Sequence, residues 1–284
     1  MWGKVLPVLL VFFSCTSFPD FPPHFPDFPP QKPTQVFTLQ EHTALPVSLG
    51  TISNKNARLL WDTGSSYNVL SNASEARFQQ ASGLLKFQAL RIPSPIFHQA
   101  GFVGLLGGSC FQDRLVIFNF VDHTVILTTL PLSSFETEEA IEFSFSLEGN
   151  RPLCRLTVGS QTFTALIDTG SMDVLTLPEP EASKIGVVRQ LSDVSSQNVF
   201  TAFRTRRVVV PTARILGQEL TNPVVSLEAP DSHSVDAEGK PVNRPDPYQA
   251  VIGYGFLQKG ILSLDYRTGL GFWRPDDKWR TVNR

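Results

Sequence analysis

A four-residue motif occurs twice in this chain, and its surroundings repeat with it. Asp62-Thr63-Gly64-Ser65 follows Arg58-Leu59-Leu60-Trp61, and Asp168-Thr169-Gly170-Ser171 follows Thr164-Ala165-Leu166-Ile167. The offset of 106 also holds upstream, where Phe37 matches Phe143 and Pro46 matches Pro152. Downstream, Leu105-Leu106-Gly107 matches Val251-Ile252-Gly253 at an offset of 146, and the register continues without a gap. Phe111 meets Leu257, Leu115 meets Ile261, Asn119 meets Asp265 and Phe120 meets Tyr266. Self-similarity on this scale fixes the architecture before any element is assigned. The chain is two copies of one unit, about 37–130 and 143–273, the second carrying 40 more residues between its landmarks. A length of 284 residues leaves each copy room for its own core.

The repeated unit reads as β. Residues 116–120, 124–127, 207–210 and 261–266 are short runs of β-branched and aromatic side chains bounded by turn formers. The chain has 22 Pro, 19 Gly and 22 Phe against two Met, a balance that favours strands and turns over helix bundles. Helix is expected only after each motif strand. One candidate is 74–81, with Asn72 or Ser74 as cap; the other is 178–185, which Gly186 would stop. The expected class is all-β, two homologous lobes with one short helix each.

Two Asp residues at equivalent points of duplicated halves meet near the axis of a pseudo-two-fold packing. Carboxylates held together in an apolar setting cannot both ionise cheaply, so the pair shares a proton and titrates as a unit. Such a pair can hold a water, one carboxylate acting as base and the other as acid. Gly64 and Gly170 admit close backbone approach. The hydroxyls of Thr63, Ser65, Thr169 and Ser171 are candidates for orienting the carboxylates.

These residues carry a resemblance. The doubled D-T-G-S with its doubled apolar-apolar-Gly is similar to the aspartic proteases, with a retropepsin-like unit in tandem as in the two-lobed pepsins. The likeness covers about 37–273. It implies Asp62 and Asp168 as catalytic residues. It also implies that Thr63 and Thr169 bond across to the other copy, that Ser65 and Ser171 support the Asp, and that Gly107 and Gly253 pass beneath the active-site turns. The implied parts are an N-terminal lobe over 37–140, a C-terminal lobe over 141–275 and a tail at 276–284.

The copies depart from each other. In the resembled family a β-hairpin flap lies between the two motifs of a copy. Copy two has 85 residues there, including a polar loop at 228–248, whereas copy one has 45. Copy one is therefore expected to lack the flap. Copy two is expected to supply it from about 187–205 with the tip near 193–196, the bland reading being an ordinary surface hairpin. Trp61 stands where Ile167 does, which favours core packing. After the motif, copy two reads one residue short, with Met172-Asp173-Val174 against Ser66-Tyr67-Asn68-Val69. Asp173 is expected to be a solvated or hydrogen-bonded turn residue.

Ahead of the first copy, Lys4 precedes nine apolar residues and Ser14-Cys15, too short a run to cross a bilayer. A signal over 1–14 is expected. Cys15 gives it a likeness to bacterial lipoprotein signals, with lipidation at Cys15, although Phe12 stands where Leu is usual; the alternative is an ordinary secreted protein. A Phe/Pro linker over 15–36 holds F-P-D-F-P-P twice and seven prolines between Pro19 and Pro33. It is expected to be an extended polyproline spacer, with docking to a partner module as the other reading.

Other chemistries have little to stand on. A net charge of −2 offers no basic surplus for nucleic acid. The five His fall at no metal-binding spacing, no G-x-S-x-G elbow occurs, and Gly104–Ser109 lacks the Lys-Ser/Thr of a phosphate loop. Cys110 and Cys154 are either bonded to each other or buried as free thiols. Arg204, Arg206 and Arg207 form either a solvated strand edge or a contact for acidic substrate groups. The expectation is a monomeric, membrane-tethered endopeptidase of the periplasm or outer membrane, acting on peptide or protein substrates without cofactor or metal. The alternative is a binding or structural lipoprotein that keeps the two-lobed form.

Overall fold

The computed structural model describes residues 33–41, 43–73, 75–92, 101–135, 139–191, 193–197, 202–228 and 248–276. The signal, Cys15, most of the Phe/Pro linker, the body of the 228–248 loop and nearly all of the tail lie outside them.

The described chain is all-β, and the two copies build the same sheet strand for strand. In copy one the order is Leu84–Gln88, Glu75–Gln79, Val47–Ile52, Lys55–Trp61, Gly104–Leu106, Val69–Leu70 and Leu90–Arg91. In copy two it is Gln218–Thr221, Thr212–Ile215, Arg151–Val158, Gln161–Asp168, Ala250–Gly253, Leu175–Pro178 and Val224–Glu228. In each, the motif strand runs parallel to the apolar-apolar-Gly strand, which lies antiparallel to the strand after the motif.

A third set of strands joins the copies in the order Thr34–Thr38, Thr124–Thr128, Leu115–Asn119, Gly260–Asp265, Leu270–Pro275 and Ile141–Glu148. At its centre Ile117 pairs with Ser263, its own counterpart at the 146 offset, while Leu115 pairs with Asp265 and Asn119 with Ile261. Residue i meets j and the equivalent of j meets the equivalent of i, which is the signature of a two-fold. The pseudo-axis therefore passes through the Ile117–Ser263 pair.

The helices differ from expectation. Residues 75–79 form a strand whose burial alternates, Ala76 and Phe78 facing inward, and it pairs with Leu84–Gln88. The local helix propensity of Glu-Ala-Arg-Phe-Gln yields to a period of two that buries Phe78 completely. Among the described residues the α-helices are single turns directly after the glycine motifs, Gly108–Phe111 and Tyr254–Leu257. Within 178–185 the chain forms a 3-10 helix, Glu179–Ser183, and Gly186 turns out of that region at a φ of 67°.

Copy two also carries strands without a counterpart. In copy one four residues separate Val69–Leu70 from Glu75–Gln79. The matching interval of copy two holds Arg189–Gln190, Val194–Gln197 and Ala202–Val209, the last pairing with the other two and with Val224–Glu228. Val194 lies opposite Thr205 and Gln197 opposite Ala202, so 193–196 is one arm of a hairpin, not its tip. Residues 198–201 lie outside the described residues. Glu228 is the buried end of a strand, not the first residue of a solvated loop.

The ladders correct the spacing after the motif. Leu105 and Val251 are equivalent, and they pair with Val69 and Thr176. Val69 thus corresponds to Thr176, and copy two runs one residue longer there, not one shorter. Matching Val174 to Val69 was chemically attractive, but backbone pairing decides the register.

Candidate active site

Asp62 and Asp168 each sit just at the end of a motif strand, after a buried apolar run. The turn that follows folds back on its own carboxylate. Gly64 and Ser65 donate N–H to Asp62 Oδ1 at 2.9 and 3.1 Å, and Gly170 donates to Asp168 Oδ1 at 2.7 Å. Main-chain donors of this kind hold a carboxylate in one orientation without side-chain entropy.

The threonines tie the two turns together. Thr63 Oγ1 donates to the Ile167 carbonyl at 2.7 Å and accepts from the Thr169 N–H at 3.0 Å. Thr169 Oγ1 donates to the Trp61 carbonyl at 2.7 Å and accepts from the Thr63 N–H at 3.0 Å. Both side chains are fully buried. Their hydroxyls serve the other copy's backbone and do not orient the carboxylates directly.

The glycines are required by closeness. A methyl on Gly64 would fall 2.5 Å from Asp168 Oδ1, and one on Gly170 would fall 2.8 Å from Asp62 Oδ1. Each turn therefore lies against the other copy's carboxylate. A methyl on Gly107 or Gly253 would likewise crowd the turns, falling 2.8 Å from the carbonyl oxygen of Ser65 or Ser171 respectively. Asn68 fixes the first of these by accepting the Gly107 N–H at 2.9 Å.

The serines differ from the reading given to them. Ser65 Oγ donates to the Tyr67 carbonyl at 2.8 Å, so this residue supports Asp62 through its N–H and not its hydroxyl. Ser171 Oγ is buried without a hydrogen-bond partner. Trp61 is fully buried, stacks on Phe111 with ring centres 6.2 Å apart, and donates its indole N–H to Ser48 Oγ. Core packing accounts for it.

The electrostatics follow from burial and proximity. Asp62 is 1% exposed and Asp168 2%. Burial raises the pKa of Asp62 well above the usual carboxylate range; the charge of Asp168 and a hydrogen bond with it raise it further, against the pull of the Gly64 and Ser65 N–H groups. Burial also raises Asp168, opposed by the hydrogen bond with Asp62 and by backbone donors. Two buried carboxyl groups that raise each other's charge cost cannot both ionise cheaply, which favours keeping one proton between them. Asp62 Oδ2 takes no hydrogen bond from a protein N–H or O–H, which leaves that oxygen free to share the proton.

Cys110 and Cys154 are buried free thiols, pushed up by burial to about 11 and about 12. Arg206 pairs with Glu179 at 3.3 Å; the side chain of Arg204 lies outside the description. Tyr266, the counterpart of Phe120 in the repeat, lies close to the pair. Its phenol is buried, and the nearby charges of Asp62 and Cys110 add to the effect of burial in raising its pKa. Among the described residues no three His, Cys, Asp or Glu side chains gather as a metal site, and no helix is long and apolar enough to cross a membrane. No protein-family model matches the chain, and no curated protein matches it.

Proposed function

We propose that the chain is an aspartic endopeptidase with the two-lobed, retropepsin-like architecture, and that Asp62 and Asp168 activate one shared water. The observation that carries this reading is the reciprocal bonding of Thr63 and Thr169, which sets each carboxylate against the glycine of the other copy's turn. In the singly protonated pair, the ionised carboxylate accepts a proton from the water as its oxygen attacks a peptide carbonyl. The protonated partner donates to the carbonyl oxygen. The tetrahedral intermediate collapses when the leaving nitrogen takes the proton from the newly protonated carboxyl and a hydroxyl of the intermediate returns its proton to the other carboxylate, which restores the singly protonated pair. The hairpin of Val194–Gln197 and Ala202–Thr205 serves as the single flap, contributed by copy two. The likeness of residues 1–15 to a lipoprotein signal supports export and a membrane anchor at Cys15, with the Phe/Pro segment as spacer.

One observation favours the alternative of a non-proteolytic binding protein. Carboxylates only 1% and 2% exposed meet no substrate without a movement of the chain around them. Incubating the protein with a peptide library from acid to neutral pH, with and without a statine-type inhibitor, separates the two. Inhibitor-sensitive cleavage that is lost in Asp62→Asn and Asp168→Asn, both still folded, supports the protease. Cleavage surviving in both variants, or absent at every pH, overturns it.

A further inference from the structure

The copies are built alike, yet the walls they place beside the two carboxylates differ in chemistry. Val69 and Leu90 are parallel partners in copy one, and their counterparts Thr176 and Ser226 are parallel partners in copy two. The carbonyls of Tyr67 and Asp173 pack on Gly107 and Gly253 in the same way, so those residues also correspond. Gly253 is the ladder partner of Asp168, and its strand pairs on the other side with that of Thr176, so the copy-two wall lies one strand away from the Asp168 strand. The copy-one wall is apolar: Tyr67, Val69 and Leu90, with Ile92 beyond. The copy-two wall is polar, and Arg207 extends it opposite Ser226. Leu175, Leu177, Val225 and Leu227 face the core on the other side of the same strands, so Thr176, Ser226 and Arg207 share the polar face.

The polar wall has bonding capacity left over. Burial raises the Asp173 pKa, the Ser226 hydroxyl and the Arg207 charge oppose it, and Asp173 Oδ2 still has no partner. Thr176 is 2% exposed and its Oγ1 is unbonded; Arg207 Nε is likewise unbonded. Buried groups in this state are costly unless something completes them. Asp173 Oδ2 can only accept while ionised, Arg207 Nε can only donate, and a hydroxyl does either. A carboxamide offers both an N–H and a C=O, and so matches the set.

Resting on the protease reading, we propose that this wall selects the substrate: an asparagine or glutamine side chain on the copy-two side of the cleaved bond, and an apolar side chain on the copy-one side. The test uses statine-centred peptides with Gln or Leu at each flanking position, bound to the full chain. Gln is expected to bind better than Leu by roughly tenfold or more on one side of the statine, and worse on the other. Thr176→Val with Ser226→Leu, which copies the first wall onto the second, is expected to remove the Gln preference. Asp173→Asn provides a milder variant that keeps the side-chain volume, and is expected to weaken that preference. Equal preferences on both sides, or a Gln preference unmoved in all these variants, overturn the inference while leaving the protease reading intact. Failure of every statine peptide to bind removes both.

Discussion

Thr63 and Thr169 bond only into each other's copy: each hydroxyl donates to a carbonyl before the opposite motif and accepts the opposite threonine's N–H. Replacing either by Val keeps the shape but leaves one buried carbonyl and one buried N–H without partners. Each such orphan costs about 1–3 kcal/mol, so Thr63→Val and Thr169→Val should each destabilise the fold by about 2–6 kcal/mol in urea unfolding. The double variant should cost less than the sum, because the first change already loosens the second residue's partners. Additive losses would mean that the two bonds are independent.

The shared proton makes both stability and activity depend on acid. The folded pKa values of Asp62 and Asp168 are raised, so the native state binds protons that the unfolded chain releases. Stability is then greatest below the ordinary carboxylate range and falls as pH rises through the folded values. Asp62→Asn removes one ionisation, and its melting temperature should exceed that of the parent at pH 7 by more than at pH 4. Cleavage by the parent should follow a bell in pH, failing on the alkaline side when the shared proton leaves. An activity that keeps rising above neutrality would contradict a proton-sharing pair.

How much of this was legible depends on what was repeated. The offsets of 106 and 146 foretold that Leu105 would act as Val251 does, because a duplicated sequence packs on a pseudo-axis; that Thr63 and Thr169 bond across to the other copy came only from the family likeness, since the repeat by itself suggested that their hydroxyls orient the carboxylates. Unrepeated stretches were harder. Residues 75–79 have the propensities of a helix, and only the pairing with Leu84–Gln88 exposes the alternation of Ala76 and Phe78. The extra residue between Ser171 and Thr176 was hidden because Val174 offers a false match to Val69. Polar side chains such as Thr176 and Ser226 carry no periodic signal, and their meaning appears only when the ladders align them with Val69 and Leu90.

Buried thiols give a direct check on packing around the pair. Cys110 is 6% exposed and Cys154 5%, and burial holds both as neutral thiols at ordinary pH. The thiolate is the reactive form. Iodoacetamide at pH 8 should leave peptides containing Cys110 and Cys154 unlabelled in the folded protein and label both after urea unfolding, as read by mass spectrometry. Rapid native labelling of Cys110 would show that the turn at Gly108–Phe111 opens far more often than its burial implies.

Glu228 is the sharpest test of the polar wall's electrostatics. It is 1% exposed, and burial, with the nearby charge of Asp173, raises its pKa to about 8. Below about 4.5 the carboxyl is protonated in both states and costs nothing. Between there and about 8 the unfolded chain releases the proton while the native chain keeps it, so stability declines across that window and levels off above it. Glu228→Gln resembles the protonated acid at every pH. It should therefore match the parent's urea midpoint near pH 4.5 and exceed it increasingly up to pH 8, by a free energy on the order of a few kcal/mol. A variant less stable than the parent at pH 8 would mean that Glu228 is ionised and held by a cation in the native state. The polar wall would then be a structural ion pair at that end.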